Sequence, residues 1–217
     1  MREPTRLRGS LRARVGGLVL GLFLFAAGIV ALLESRLGLS AWDVLHQGIA
    51  RHTPLSFGEA NVAVSIVVLG VAWLLGARIG VGTVANALLV GGFVQLLSSL
   101  PAVAALAQAP LVARAVMLPV GLALLGAGSG LYLGAGLGAG PRDSLMVVAA
   151  RRTPLRIGAV RALIELSAMT VGWALGGTVG IGTLLATVGI GPSVEVSFWL
   201  LARSPLAFRW RPQCSSA

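Results

Sequence analysis

Apolar residues along this chain come in long runs. About 20 such residues cross roughly 30 Å of hydrocarbon as an α-helix. Six runs approach or reach that length: Val15 to Leu33, Phe57 to Ala77, Val81 to Leu100, Leu111 to Gly134, Ile157 to Gly176 and Ile181 to Ala202. Two shorter segments, Ser40 to Ala50 and Gly140 to Ala150, each cover roughly half a bilayer at about 1.5 Å of rise per residue. They read as re-entrant or interfacial helices. The pattern predicts an all-α polytopic membrane protein.

The runs recur at an offset of 100 residues, without a gap. Asp43, Leu45, Ala50, Arg51, Thr53, Pro54, Leu55 and Gly58 return as Asp143, Leu145, Ala150, Arg151, Thr153, Pro154, Leu155 and Gly158. Val71, Trp73, Leu75, Gly76, Gly80, Gly82 and Thr83 return as Val171, Trp173, Leu175, Gly176, Gly180, Gly182 and Thr183. Shared apolar composition would align leucines and valines, but not Asp, Arg, Thr-Pro, Trp and Gly-x-Gly-Thr in one frame. The reading is therefore two pseudo-symmetric repeats, each of about three transmembrane helices plus one short helix. A basic N-terminal segment (1–14) precedes the first repeat (15–100). A connecting loop (101–110) leads to the second repeat (111–202) and a tail (203–217). The basic and apolar start resembles a signal peptide, but its apolar run is long and has a counterpart in the second half, so it is read as a retained span.

If the short helix does not cross the bilayer, each half holds three spans and the second half is inverted; if it does cross, each half holds four and the repeats run parallel. With the termini inside, both arrangements place fourteen arginines in the cytoplasm and three outside, so the positive-inside total is indecisive. Equivalent loops differ more. Ser56, Asn61 and His52 become Arg156, Arg161 and Arg152, while Arg78 becomes Thr178. One half gains positive charge where the other loses it, which favours loops facing opposite sides and the inverted arrangement. Inverted repeats with discontinuous helices are a common plan among secondary transporters.

Composition sharpens this. The chain has 217 residues, 56% hydrophobic and 11% charged, with a mean hydropathy of +0.90; a soluble domain carries about 25% charge, so a soluble enzyme is excluded. The formal charge of +10 comes from arginines lying between apolar runs rather than along one face, so no nucleic acid is expected. Without lysine there is neither a P-loop nor a Schiff base. The single cysteine, Cys214, excludes a disulfide framework and a cysteine metal site. His46 and His52 form no metal-ligand pattern. No metal, cofactor or enzymatic constellation of nucleophile, base and oxyanion site is expected. The glycine series Gly126-x-Gly128-x-Gly130, like Gly17-x-x-x-Gly21, reads as close helix packing.

Asp43 and Asp143 sit at the starts of the short helices, three residues after Ser40 and Gly140, with Pro141 in a favoured first-turn position and Arg142 beside it. A first-turn Asp complements the helix dipole, and Ser40-x-x-Asp43 resembles a capping box. Alternatively, the two half-helices bring paired carboxylates to a central cavity for a cation or proton. Thr53-Pro54 and Thr153-Pro154 look like helix starts, with Ser56-x-x-Glu59 a competing capping box. Gly80-Val81-Gly82-Thr83 and Gly180-Ile181-Gly182-Thr183 read as tight turns, as hinges or as substrate contacts. Glu165 lies mid-span, where a carboxylate is expensive, with Arg161 one turn earlier as a partner. Asn86, Gln95 and Glu195 are expected to face the bundle interior or a polar cavity.

The residues that carry the repeat also carry a resemblance. LSAWDVLHQGIARHTPLSFG, GVGTVANALLVG, GPRDSLMVVAARRTPLRIG and GGTVGIGTLLA resemble the YczE family of bacterial integral membrane proteins, grouped with YyaS and YitT, over nearly the whole chain. Trp42-Asp43 and Gly140-Pro141-Arg142-Asp143 lie in its more specific motifs. Ser40-Ala41 stand where Gly-Pro is expected, and Pro54 and Pro154 where glycine is usual. The resemblance implies a multi-pass protein of the bacterial cytoplasmic membrane and supplies no catalytic residues. Two functions are compatible with these features. One is a permease or exporter of a small solute, with Asp43, Asp143, Glu165 and Glu195 as candidates for coupling or substrate contact and Asn86 and Gln95 beside them. The other is a non-transporting scaffold acting through a membrane protein partner or a second copy.

Overall fold

The computed structural model describes residues 10–204. Much of the basic segment and nearly all of the tail, with Cys214, lie outside them. The described chain is helical: α1 (Leu11–Ser35), α2 (Ala41–His52), α3 (Phe57–Leu74), α4 (Val81–Ser98), a short turn α5 (Pro101–Ala104), α6 (Leu111–Gly134), α7 (Pro141–Arg152), α8 (Ile157–Ala174) and α9 (Ile181–Arg203). Six of these, α1, α3, α4, α6, α8 and α9, are long and apolar enough to cross a membrane. The two 12-residue helices, α2 and α7, cover about 18 Å each at 1.5 Å per residue. The link at 101–110 is largely wound, with a 3₁₀ turn at Ala105–Gln108 after α5.

Local chemistry sets these boundaries. Ser56 caps α3 through a full capping box with Glu59. Contrary to the expectation from their sequence, Thr53-Pro54 and Thr153-Pro154 do not start helices; they stop them. Thr53 and Thr153 cap the C-termini of α2 and α7, and their hydroxyls donate back to Ile49 O and Ala149 O. The proline that follows then prevents continuation, because the residue before it disfavours the α region.

The helices sort into two groups, each drawn from both halves of the chain. In one, α1 packs on α6 and α4, and α6 packs on α9; in the other, α2 packs on α8 and α3, and α7 on α3 and α8. The groups meet through α3 and α4, and more lightly through α4 and α7. The core lies mainly between α1 and α6, around Leu18, Leu22, Ile29, Leu32, Leu118 and Leu125.

α1 and α6 cross antiparallel on glycines. A β-carbon on Gly21 would lie 2.8 Å from Gly128 O, and one on Gly28 would lie 2.7 Å from Gly121 O. Contact therefore moves down one helix as it moves up the other. Backbone meets backbone, the close approach that small residues permit where lipid offers no hydrophobic drive. Polar links tie the ends. Arg14 Nε donates to Ala135 O at 2.7 Å, and Arg114 Nε to Ser35 O at 2.8 Å. Gly82 N donates to Leu137 O at 2.9 Å, and Gly182 N to Leu37 O at 2.8 Å. Thr83 and Thr183 accept from Gly80 N and Gly180 N, so the Gly-x-Gly-Thr segments are helix starts docked on the opposite half's linker.

Candidate functional site

The short helices begin next to one another inside the molecule. The guanidinium of Arg142, in the first turn of α7, lies 5.1 Å from the centre of the Trp42 ring, in the first turn of α2. Trp42 packs with Val68 and Ala168, on α3 and α8, and with Leu45, Val64, Leu145 and Ile164. Its indole Nε1 is buried without a hydrogen-bond partner.

Asp43 is 1% exposed and both its oxygens are engaged. Ser40 Oγ donates to Oδ2 at 2.5 Å, and His46 Nδ1 lies 3.3 Å from Oδ1. Ser40 is the N-cap of α2 but makes no side-chain cap bond, so the expected capping box is replaced by a direct Ser–Asp bond. His46, fully buried, also approaches Arg142 Nη2 through Nε2 at 3.5 Å. A guanidinium only donates, so this approach suits a ring with its proton on Nδ1, facing Asp43. Asn61 of α3 sits 3.1 Å from the same Nδ1; with that tautomer its amide oxygen, not its nitrogen, faces the ring. Phe57 closes the ring's edge at 5.9 Å. The result is a chain Ser40–Asp43–His46–Arg142 that links both short helices.

Asp143 is held differently. Tyr132 of α6 donates its hydroxyl to Asp143 Oδ2 at 3.1 Å, a bond that joins the two helix groups. Arg142, Arg161 and Glu165 lie within electrostatic reach of Asp143. Arg161 Nε donates to Glu165 Oε1 at 2.9 Å, with the two side chains 52% and 28% exposed, so the pairing expected at one helical turn is present on the outer side of α8. Oδ1 of Asp143 carries no hydrogen bond comparable to those on Asp43.

The remaining candidates separate. The Asn86 carboxamide packs against Gly140 at the start of α7, where a β-carbon would lie 3.3 Å from its Oδ1. Gln95 and Glu195 are exposed on α4 and α9 instead of facing the interior: Gln95 lies at the edge of the α3–α4 contact with its β-carbon beside Gly58, while Val94 and Ser193 take the inner positions next to them. Arg51 bonds to Gly176 O and to Thr178 Oγ1, tying the end of α2 to the α8–α9 link, and Thr178 N donates to Gln47 Oε1 at 2.6 Å. Arg151 and Arg152 are exposed at the end of α7. A cavity of about 380 Å³ opens beside Arg51, lined also by Glu34, Arg36, Leu39 and Gln47; neither Asp43 nor Asp143 lines it. Among the described residues no three His, Cys, Asp or Glu side chains are grouped to hold a metal.

Sequence reasoning did not single out His46, Asn61 or Tyr132 for this cluster. The available signals were modest: Tyr132 is the chain's one tyrosine, and Asn61 is an amide inside an apolar run.

Comparison with known proteins places the chain in a family. Residues 12–198 match the model of a family of unknown function, DUF6198. A Haemophilus influenzae relative described as an uncharacterized protein is 36% identical over 191 residues, 86% of each chain. The uncharacterized membrane protein YczE of Bacillus subtilis is 30% identical over 208 residues, 88% of this chain and 92% of its own. YyaS of the same organism is 26% identical over 79% of this chain and 85% of its own. No solved structure matches. With six helices able to cross a bilayer, the chain is a multi-pass membrane protein belonging to the YczE-like DUF6198 family.

Proposed function

We propose that the protein is a permease or exporter of a small solute, built from two inverted repeats whose half-helices meet at the transport site. The observation that carries this reading is the meeting of positions 42 and 142, equivalent at the 100-residue offset, with two carboxylates beside them. The crossed pairs support inversion. Gly21 meets the counterpart of Gly28, and Gly28 meets the counterpart of Gly21. Arg14 and Arg114 cap each other's helix ends, and the Gly82–Leu137 bond is repeated as Gly182–Leu37. Contacts exchanged in this way are those that a two-fold axis turning one half upside down relative to the other would produce. Half-helix N-termini at such an axis are where secondary transporters bind substrate and coupling ions.

The two aspartates take unequal roles. Asp43 is saturated by Ser40 and His46 and organises the cluster. Asp143, with an oxygen to spare and a bond to the opposite helix group, is the carboxylate that meets the solute or a proton. The protein reconstituted in vesicles is expected to give a solute-dependent current or pH change across a panel of organic ions, amino acids and sugars. Asp143→Asn is expected to lower it at least tenfold at an unchanged protein level. Full flux in the Asp43→Asn/Asp143→Asn double variant would contradict carboxylate coupling. Absence of flux from the wild type, together with stoichiometric co-purification of one membrane partner, would support a scaffold instead.

A further inference from the structure

The two halves are not packed alike. α3 closes on α4: a β-carbon on Gly58 would lie 2.6 Å from Gly91 O and 2.7 Å from Gln95 Cβ, and one on Gly91 would lie 2.4 Å from Val62 Cγ2. At the equivalent positions, Gly158 on α8 and Gly191 on α9, a β-carbon would meet nothing within 4 Å. α8 stays with α2 and α7, whereas α9 stays with α6. The interface between the two helix groups is thus sealed on the α3–α4 side and parted on the α8–α9 side. The parting lies next to Glu165, which is 28% exposed and in electrostatic reach of Arg142 and Asp143. Among the described residues, no helix fills it.

Resting on the permease reading, we infer that the α8–α9 parting is a gate to the charged site, and that the closed α3–α4 contact shows its other position. The seal by Gly58 and Gly91 lies toward the end of the molecule where α1 finishes. The parting at Gly158 and Gly191 lies toward the end where α1 begins, because α3 and α8 run in opposite directions in the inverted arrangement. Rocking one four-helix group on the other closes α8–α9 as α3–α4 opens, and the site changes side. The same comparison assigns a role to Glu195. In the closed half its counterpart Gln95 sits on Gly58, so closure carries Glu195 onto Gly158. There it meets Arg161, one turn further along α8, which then exchanges Glu165 for Glu195. The exchange frees Glu165 beside Asp143 and gives a partner to a carboxylate that is otherwise exposed on a membrane helix, an expensive position.

Cysteines at 158 and 191 test the gate without any knowledge of the solute. In a Cys214→Ser background, Gly158→Cys/Gly191→Cys is expected to form a disulfide within one chain under copper phenanthroline in membranes. Adding Glu195→Gln is expected to reduce its yield several-fold by removing the closing partner. Gly158→Leu fits the parted state, so protein level and melting midpoint are expected to stay at wild-type values while flux falls at least tenfold. A disulfide found only between two chains, or none under any condition, would overturn the gate; so would full flux in Gly158→Leu. Disulfide formation with no flux in the wild type would keep the moving interface and remove the permease reading, so the two failures are distinct.

Discussion

Gly28→Leu is expected to leave little folded protein. The new side chain must enter where the backbones of α1 and α6 touch, its β-carbon 2.7 Å from Gly121 O and 2.8 Å from Leu125 N. Neither partner is a flexible side chain, so the helices must separate along the largest packed surface of the fold. Overpacking a tight core costs about 1–3 kcal/mol and sometimes more; a backbone obstruction of this kind belongs at the upper end. Fluorescence-detected size-exclusion of a tagged protein reads it as loss of the monodisperse peak. Gly16→Leu on the same helix is the control, because nothing lies within 4 Å of that position. Its profile is expected to match the wild type.

Asp43→Ala is the second large effect, through polar burial instead of packing. The substitution leaves the Ser40 hydroxyl without its acceptor and the His46 Nδ1–H with Asn61 alone, and leaves Arg142 without one of the carboxylates that balance it. Leaving a buried donor without its acceptor costs about 1–3 kcal/mol, and more where a buried charge loses part of its balance. A detergent melting curve is expected to show a large drop in midpoint or no folded fraction. Asp43→Asn keeps an acceptor for His46 and the side-chain shape, so its drop is expected to be much smaller. An equal drop in the two variants would mean that shape, not hydrogen bonding, is what Asp43 supplies. Asp143→Ala, removing a singly bonded carboxylate, is expected to fall between them.

The spans were legible because length and apolarity decide them. The run from Leu111 to Gly134 is α6 to the residue, and the starts of α3, α4, α8 and α9 coincide with the runs that announce them. The half-length helices followed from the same arithmetic, and the Arg161–Glu165 pair from helical spacing. Helix ends were harder. Thr53-Pro54 satisfies the preferences of a helix start and of a helix stop equally well, and only the hydroxyl's bond to Ile49 O decides between them. Facing was also hidden. In a soluble helix a polar residue marks the outside, but in a membrane helix that rule reverses for charged groups. Gln95 and Glu195 were therefore expected inside, yet Val94 and Ser193 take the inner positions next to them. The interior cluster escaped notice for a related reason: His46, Asn61 and Tyr132 stand far apart in sequence and come together only once α2, α3 and α6 are arranged around α7.

The permease reading depends on the proposed inversion of one half relative to the other, in which the starts of α2 and α7 meet at one site. The most direct test is the sidedness of the link between them. In a Cys214→Ser background, Gln108→Cys places a thiol on the exposed turn before α6, and Arg78→Cys places one on the α3–α4 link. With a membrane-impermeant maleimide on intact cells, Gln108→Cys is expected to label, and Arg78→Cys only after lysis. Protection of Gln108→Cys until lysis would put an even number of crossings in the first half, make the repeats parallel, and contradict the account.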